Sequence, residues 1–118
     1  MAKYLITLYE PPSGPPDTAD LPQIIADATA VSKEAEEAGV WVFGGGLTPA
    51  AEAVTVTPGE GDPVVTDGPY LEAKEYLGGF SLVDVPDLET AVSWAKKLAV
   101  ACRCAQEVRG FGDGSEAQ

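Results

Sequence analysis

Two stretches of this chain repeat apolar residues with helical spacing, and each stands between stretches that alternate or run in β-formers. The first stripe is Leu21, Ile24, Ile25, Ala28, Val31 and Ala35. The second is Leu88, Ala91, Val92, Ala95 and Leu98, with Trp94 at its flank. Such stripes predict two amphipathic helices, each with one face to bury. Asp17 or Thr18 is placed to start the first helix and Asp87 to cap the second, since a short polar side chain can take up a free backbone N–H. Gly39 is placed to stop the first.

The strands are read around these helices. Lys3 to Tyr9 is rich in β-formers, and Val40-Trp41-Val42-Phe43 runs into Gly44-Gly45-Gly46. Ala53 to Thr57 alternates, Val64-Val65-Thr66 is short, and Pro58 to Asp62 forms a hairpin tip between them. Leu77 to Val85 is a further strand, entered through Gly78-Gly79, and Gln106 to Arg109 is the last. The proline-rich run from Pro11 to Pro16 is a connection between a strand and a helix. The order is strand, helix, strand, hairpin, strand, helix, strand. It predicts an α+β fold of the ferredoxin-like split β-α-β plan with an inserted hairpin. Residues 1–112 form one domain and 113–118 a polar tail, with fraying expected from Phe111.

Two helices can cover only one face of that sheet. The other would carry Tyr4 or Leu5, Trp41 or Phe43, and Phe80 or Leu82. An apolar face of that size is not left open on a monomer, so a homodimer paired sheet to sheet is expected.

Charge narrows the partners. The 118 residues hold 19 acids and 7 bases, a net charge of −12. Nucleic acid and anionic membrane surfaces are excluded, because both are bound through Lys and Arg. No apolar run approaches the roughly 20 residues of a membrane span. Cys102 and Cys104 are too close in sequence for an unstrained disulfide. They read as free thiols in a reducing cytoplasm. Histidine is absent, which removes the commonest general base and the commonest metal ligand. Two thiols alone make half a zinc site, so neither a metal nor another cofactor is expected.

Function is concentrated in Thr66-Asp67-Gly68-Pro69-Tyr70-Leu71-Glu72-Ala73-Lys74-Glu75-Tyr76-Leu77-Gly78-Gly79-Phe80. Asp67-Gly68-Pro69 marks a turn. A carboxylate held there can act as a general base if burial raises its pKa, or can bond its own backbone as an Asx-turn. Glu72, Lys74 and Glu75 either position a polar ligand or stand in solvent. Arg109 either binds a carboxylate through its planar fork or pairs with Glu72, Glu75 or Glu107. Tyr9, Trp41, Tyr70 and Tyr76 either line a pocket or pack in the core and interface. Gly44-Gly45-Gly46 lacks the Lys-Ser or Lys-Thr of a phosphate loop and reads as a bulge or a close backbone approach.

This stretch resembles the signature of the YCII-related (DGPF) family, with Tyr70 in place of Phe. Lys3 to Tyr9, Gly44 to Pro49, Ala53 to Val56 and Glu107-Val108-Arg109 are similar to other parts of that family's pattern. The resemblance implies the dimeric α/β-barrel version of the ferredoxin-like fold. Where relatives are enzymes on small acids, it also implies a His-Asp pair. Asp67 stands in the matching signature, but its histidine is missing. Two functions follow as expectations. One is a small-molecule-binding or regulatory module, with Asp67, Tyr9, Trp41, Tyr70, Glu72, Lys74 and Arg109 around one concavity. The other is a lyase or isomerase that moves protons on a small organic acid, with Asp67 as base.

Overall fold

A computed structural model describes residues 1–15 and 20–112. Its elements are β1 (Ala2–Glu10), α1 (Leu21–Glu37), β2 (Trp41–Gly46), β3 (Val54–Thr57), β4 (Val64–Asp67), β5 (Tyr76–Val85), α2 (Leu88–Cys102) and β6 (Glu107–Gly110), with a single 3-10 turn at Ala50–Glu52. Four strands form one antiparallel sheet in the order β2-β5-β1-β6, and β3 pairs with β4 in a separate hairpin. The molecule is α+β, consistent with a ferredoxin-like fold.

Asp20 accepts the backbone N–H of Gln23 and caps α1. The expected starts at Asp17 or Thr18 lie outside the described residues; the cap observed is Asp20. Gly39 leaves the helix at φ +77°, a conformation glycine adopts without strain. Asp87 caps α2 by accepting the Thr90 N–H at 2.8 Å. Arg103 ends it in the left-handed region at φ 56°.

The core lies between the helices and one sheet face. Ile6, Val83, Val85, Ala91, Ala95 and Leu98 are buried together, with Tyr4, Val31, Val40, Trp94 and Val108 packed around them. Three expected members of the helical stripes are corrected here, and the first is Ile25, which is exposed above a cleft beneath α1. Leu21 and Leu88 are the other two, exposed because each is the first residue of its helix, beyond the edge of the sheet-facing stripe. Ala101 is buried instead, one turn beyond Leu98. Between α1 and α2, Lys97 pairs with Glu34 and Arg103 pairs with Asp27 at 3.0 Å.

Register settles which side each strand residue faces. Leu5 stands opposite Leu82 and Arg109, and Thr7 opposite Phe80 and Glu107. In antiparallel pairs, opposite residues share a face, so this set looks away from Ile6 and the helices. Along β2 the register slips between Trp41 and Phe43. The slip is a bulge, and it sends Trp41 to the helix side and Phe43 to the uncovered side. There Phe43 meets Phe80, with ring centroids 5.9 Å apart.

β3 and β4 do not pack substantially on any other element. Val54, Val56, Val64 and Val65 are all exposed on this arm.

Candidate ligand-binding site

Glycine opens a cleft on the helix side of the sheet. Gly44, Gly45, Gly46 and Gly79 lie where β2 and β5 pass under α1, and none of the four brings a side chain of its own into the gap between layers. The resulting cleft has a volume of about 390 Å³, within the range of roughly 300 to 1,000 Å³ that holds small ligands. Its carbon walls come from Leu8, Ile24, Ile25, Trp41 and Leu98. Thr29, Ser32, Ser81, Cys102 and Gln106 supply the polar lining, and none of the lining residues carries a formal charge.

Trp41 is held by the strand itself. Its ring lies over Gly44, where a β-carbon would come within 2.7 Å of the ring and 2.5 Å of the Phe80 carbonyl oxygen. The expected close backbone approach at the glycine run is therefore found at Gly44, and the bulge lies just before it.

Glu10 does not itself line this cleft but lies beside it, its side chain against Gly78, the neighbour of the lining residue Gly79. Glu10 follows Leu8 on the same face of β1, opposite Tyr76, after an irregularity at Leu8/Tyr9 that leaves Gly78 without a partner on β1, though its carbonyl accepts from Leu47 N at 2.8 Å. The side chain of Glu10 lies across Gly78, with Oε2 also 3.4 Å from the β-carbon position of Gly14. Partial burial pushes the Glu10 carboxyl up. Burial likewise pushes the Cys104 thiol up; a hydrogen bond from Gln106 opposes this, and the charges of Glu10 and Glu75 add to it. Cys102 is pushed up first by burial and then by Cys104, with Arg103 working in the other direction. Both thiols are free. Among the described residues, no group of three or more His, Cys, Asp or Glu stands together as a metal site. No helix of the described residues is long and apolar enough to cross a membrane.

A second, shallower groove runs over the outer surface of the helices, between Asp27 and Glu34 on α1 and Lys96, Lys97, Val100 and Arg103 at the end of α2. Its charges are largely matched by the two ion pairs already described.

Of the residues expected around one concavity, Trp41 lines the glycine cleft. Asp67 ends β4, is exposed and faces Val54 across the hairpin. Its carboxylate makes no hydrogen bond among the described residues, so the turn is held in another way. Gly68 takes φ +98°, and its N–H donates to Ala53 O at 2.7 Å while its carbonyl accepts from Thr55 Oγ1 at 2.7 Å. Tyr70, Glu72, Lys74 and Glu75 are exposed in the loop that follows. Tyr76 fastens that loop: its hydroxyl accepts from Ala73 N at 2.8 Å and donates to Leu71 O at 2.7 Å. Tyr9 donates to Glu107 Oε1 at 3.2 Å on the uncovered sheet face. Arg109 lies on that face opposite Leu5 and forms no ion pair among the described residues. Neither of the two clefts is lined by Asp67, Tyr70, Glu72, Lys74 or Arg109.

The architecture defines a small α+β protein with a largely apolar cleft beneath its first helix. A family model for the YCII-related domain matches residues 2–109, and the chain belongs to that family. It is also 35% identical over 79 residues to an uncharacterised protein of Rhizobium meliloti (strain 1021), across 67% of this chain and 64% of that protein. The match thus spans a little under two thirds of the length of that relative.

Proposed function

We propose that this chain is a small-molecule-binding module that works as a homodimer and takes its ligand in the glycine cleft. The observation that carries the reading is a cavity of about 390 Å³ with a tryptophan for a wall and glycines for a floor. Apolar enclosure with a few neutral polar groups suits a small ligand that is mostly carbon. The ionisable groups of the signature loop stand elsewhere. Asp67 is an exposed carboxylate at the end of a hairpin, and proton transfer there would take place outside the cleft. Binding is therefore preferred to lyase or isomerase chemistry.

The dimer rests on the uncovered face. Leu5, Phe43, Phe80 and Leu82 form its apolar centre. Around them Lys3 and Arg109 balance Asp84 and Glu107, although the whole chain carries −12. Asp84 Oδ1 is buried and has no hydrogen-bond partner among the described residues. A buried carboxylate oxygen is costly to leave unmatched, and a second copy would bring donors to it. Pairing of two such faces is the dimeric α/β-barrel arrangement.

Trp41 offers the test. In a Trp94→Phe background it is the sole tryptophan. A ligand in the cleft must change its fluorescence, and Gly46→Val must abolish that change by filling the floor. Residue 46 has open space where a β-carbon would stand, so the variant is expected to fold. Binding that survives Gly46→Val and leaves Trp41 fluorescence unmoved would place the ligand elsewhere.

A further inference from the structure

We propose that the cleft selects small amines, with Glu10 receiving the ammonium head while the carbon tail lies against Trp41. This deepens the binding reading and rests on it. The cleft itself carries no charge, so the sign of its ligand is set by what stands beside it. There, on the face of β1 that Leu8 presents to the cleft, is a carboxylate with no hydrogen bond and no ion pair among the described residues. The side chain crosses Gly78 and reaches Gly14, and an ordinary residue at 78 would displace it.

The surroundings reinforce the sign. Glu75 is close enough to act on Cys104 together with Glu10. The nearby cation, Arg103, is engaged by Asp27 at 3.0 Å and by the carbonyl of Ala101. An acid entering the cleft would meet neutral walls and then the negative charge beside them. An amine would meet an acceptor that lacks a partner. Hydrogen bonds between an ammonium and a carboxylate are among the stronger ones available. The Trp41 ring lies over Gly44, opposite Ser81, and the Glu10 carboxylate reaches Gly78, three residues from Ser81 and about 10 Å along the strand. Together with its hydrogen bond to the carboxylate, a head three carbons from an aromatic ring spans that distance.

Three probes of one shape test the inference: 3-phenylpropylamine, 3-phenylpropan-1-ol and 3-phenylpropionate. Their dissociation constants are measured at neutral pH by Trp41 fluorescence in the Trp94→Phe protein. The amine is expected to bind about tenfold more tightly than the alcohol, and the acid more weakly than the alcohol. Glu10→Gln should bring the amine down to the affinity of the alcohol and leave the alcohol unchanged. Gly78→Ala, which keeps the carboxylate but moves it, should do the same. The proposal is overturned if the acid matches the amine, or if Glu10→Gln leaves the amine-to-alcohol ratio intact. If the alcohol binds but the amine gains nothing, the role of Glu10 fails and the cleft stands. If none of the three binds, the cleft reading fails with it.

Discussion

The carboxylate end of Glu10 occupies the space that a β-carbon on residue 78 would need. Two positions 68 residues apart in sequence are thereby tied: an acid on β1 can fold inward only because β5 offers a bare backbone. Gly78→Ala is expected to swing Glu10 outward rather than shift the sheet, since the obstructing atoms are the free end of a flexible chain. The cost should be about 1 kcal/mol, toward the low end for overpacking. In a Glu10→Ala background the same substitution should cost less. Urea unfolding of the four proteins gives the coupling, and equal costs in both backgrounds would show that the two residues do not compete for one space.

Glu10 also sets a pH dependence. Burial disfavours its ionised form, so the folded protein holds this proton more tightly than the unfolded chain. The group's contribution to stability is therefore fully present below the ordinary carboxylate value of 4.5 and is lost as pH rises through the folded value. Glu10→Gln escapes that loss. Its melting temperature should exceed that of the parent at neutral pH, with the difference shrinking as both are acidified. A difference that grows on acidification would reverse the sign assigned to Glu10.

Neighbouring glycines of β2 should respond unequally. At Gly44 a β-carbon meets the backbone oxygen of Phe80 and the Trp41 ring, whereas at Gly46 it meets nothing within 4 Å. Gly44→Ala is expected to cost about 1 to 3 kcal/mol, and Gly46→Ala to stay within roughly 0.5 kcal/mol. Chemical denaturation of both variants decides it, and equal losses would mean that Trp41 does not rest on Gly44.

Sheet-to-sheet pairing should give a dimer by light scattering at micromolar concentration, burying on the order of 1,500 Å² or more. Leu82→Arg puts a charge in the middle of that face and should yield a folded monomer, since Leu82 points away from the Ile6 core. A parent protein that scatters as a monomer would remove the dimer from the proposal.

The two cysteines should be slow nucleophiles. Burial leads the upward push on both thiols, and the thiolate is the reactive form. Alkylation of the native protein near pH 8 should lag behind a free cysteine peptide and catch up in denaturant. Native rates equal to the peptide's would show the thiols to be open to solvent and unshifted.

What the sequence made legible was local. Helical spacing placed α1 and α2, and Asp87 was visible as a cap because a cap needs only its own turn. The side of the sheet that each strand residue takes was not visible. Tyr4 and Leu5 are adjacent apolar residues, so alternation gives no sign of which one faces the helices. Phe80 and Leu82 are two apart and share the uncovered face, and Trp41 and Phe43 would share a face too but for the bulge between them. Long-range register decides that, and the bulge after Trp41 resets it. The cleft had one trace in the sequence, the glycines at 44–46, read as a bulge or close approach rather than as missing volume. Glu10 left none. It reads as the polar end of a strand before two prolines, and its setting depends on Gly78, which is remote in sequence.

The slip in β2 makes one extra residue responsible for two surfaces. Without it, Trp41 and Phe43 would stand on the same side, two residues apart. Both aromatics would then crowd the cleft, or both would leave it. A relative lacking one residue here would keep every strand and both helices, yet exchange a walled cleft for a flat one. The length of this strand, more than its composition, is thus the quantity to compare when asking which members of the family share a pocket.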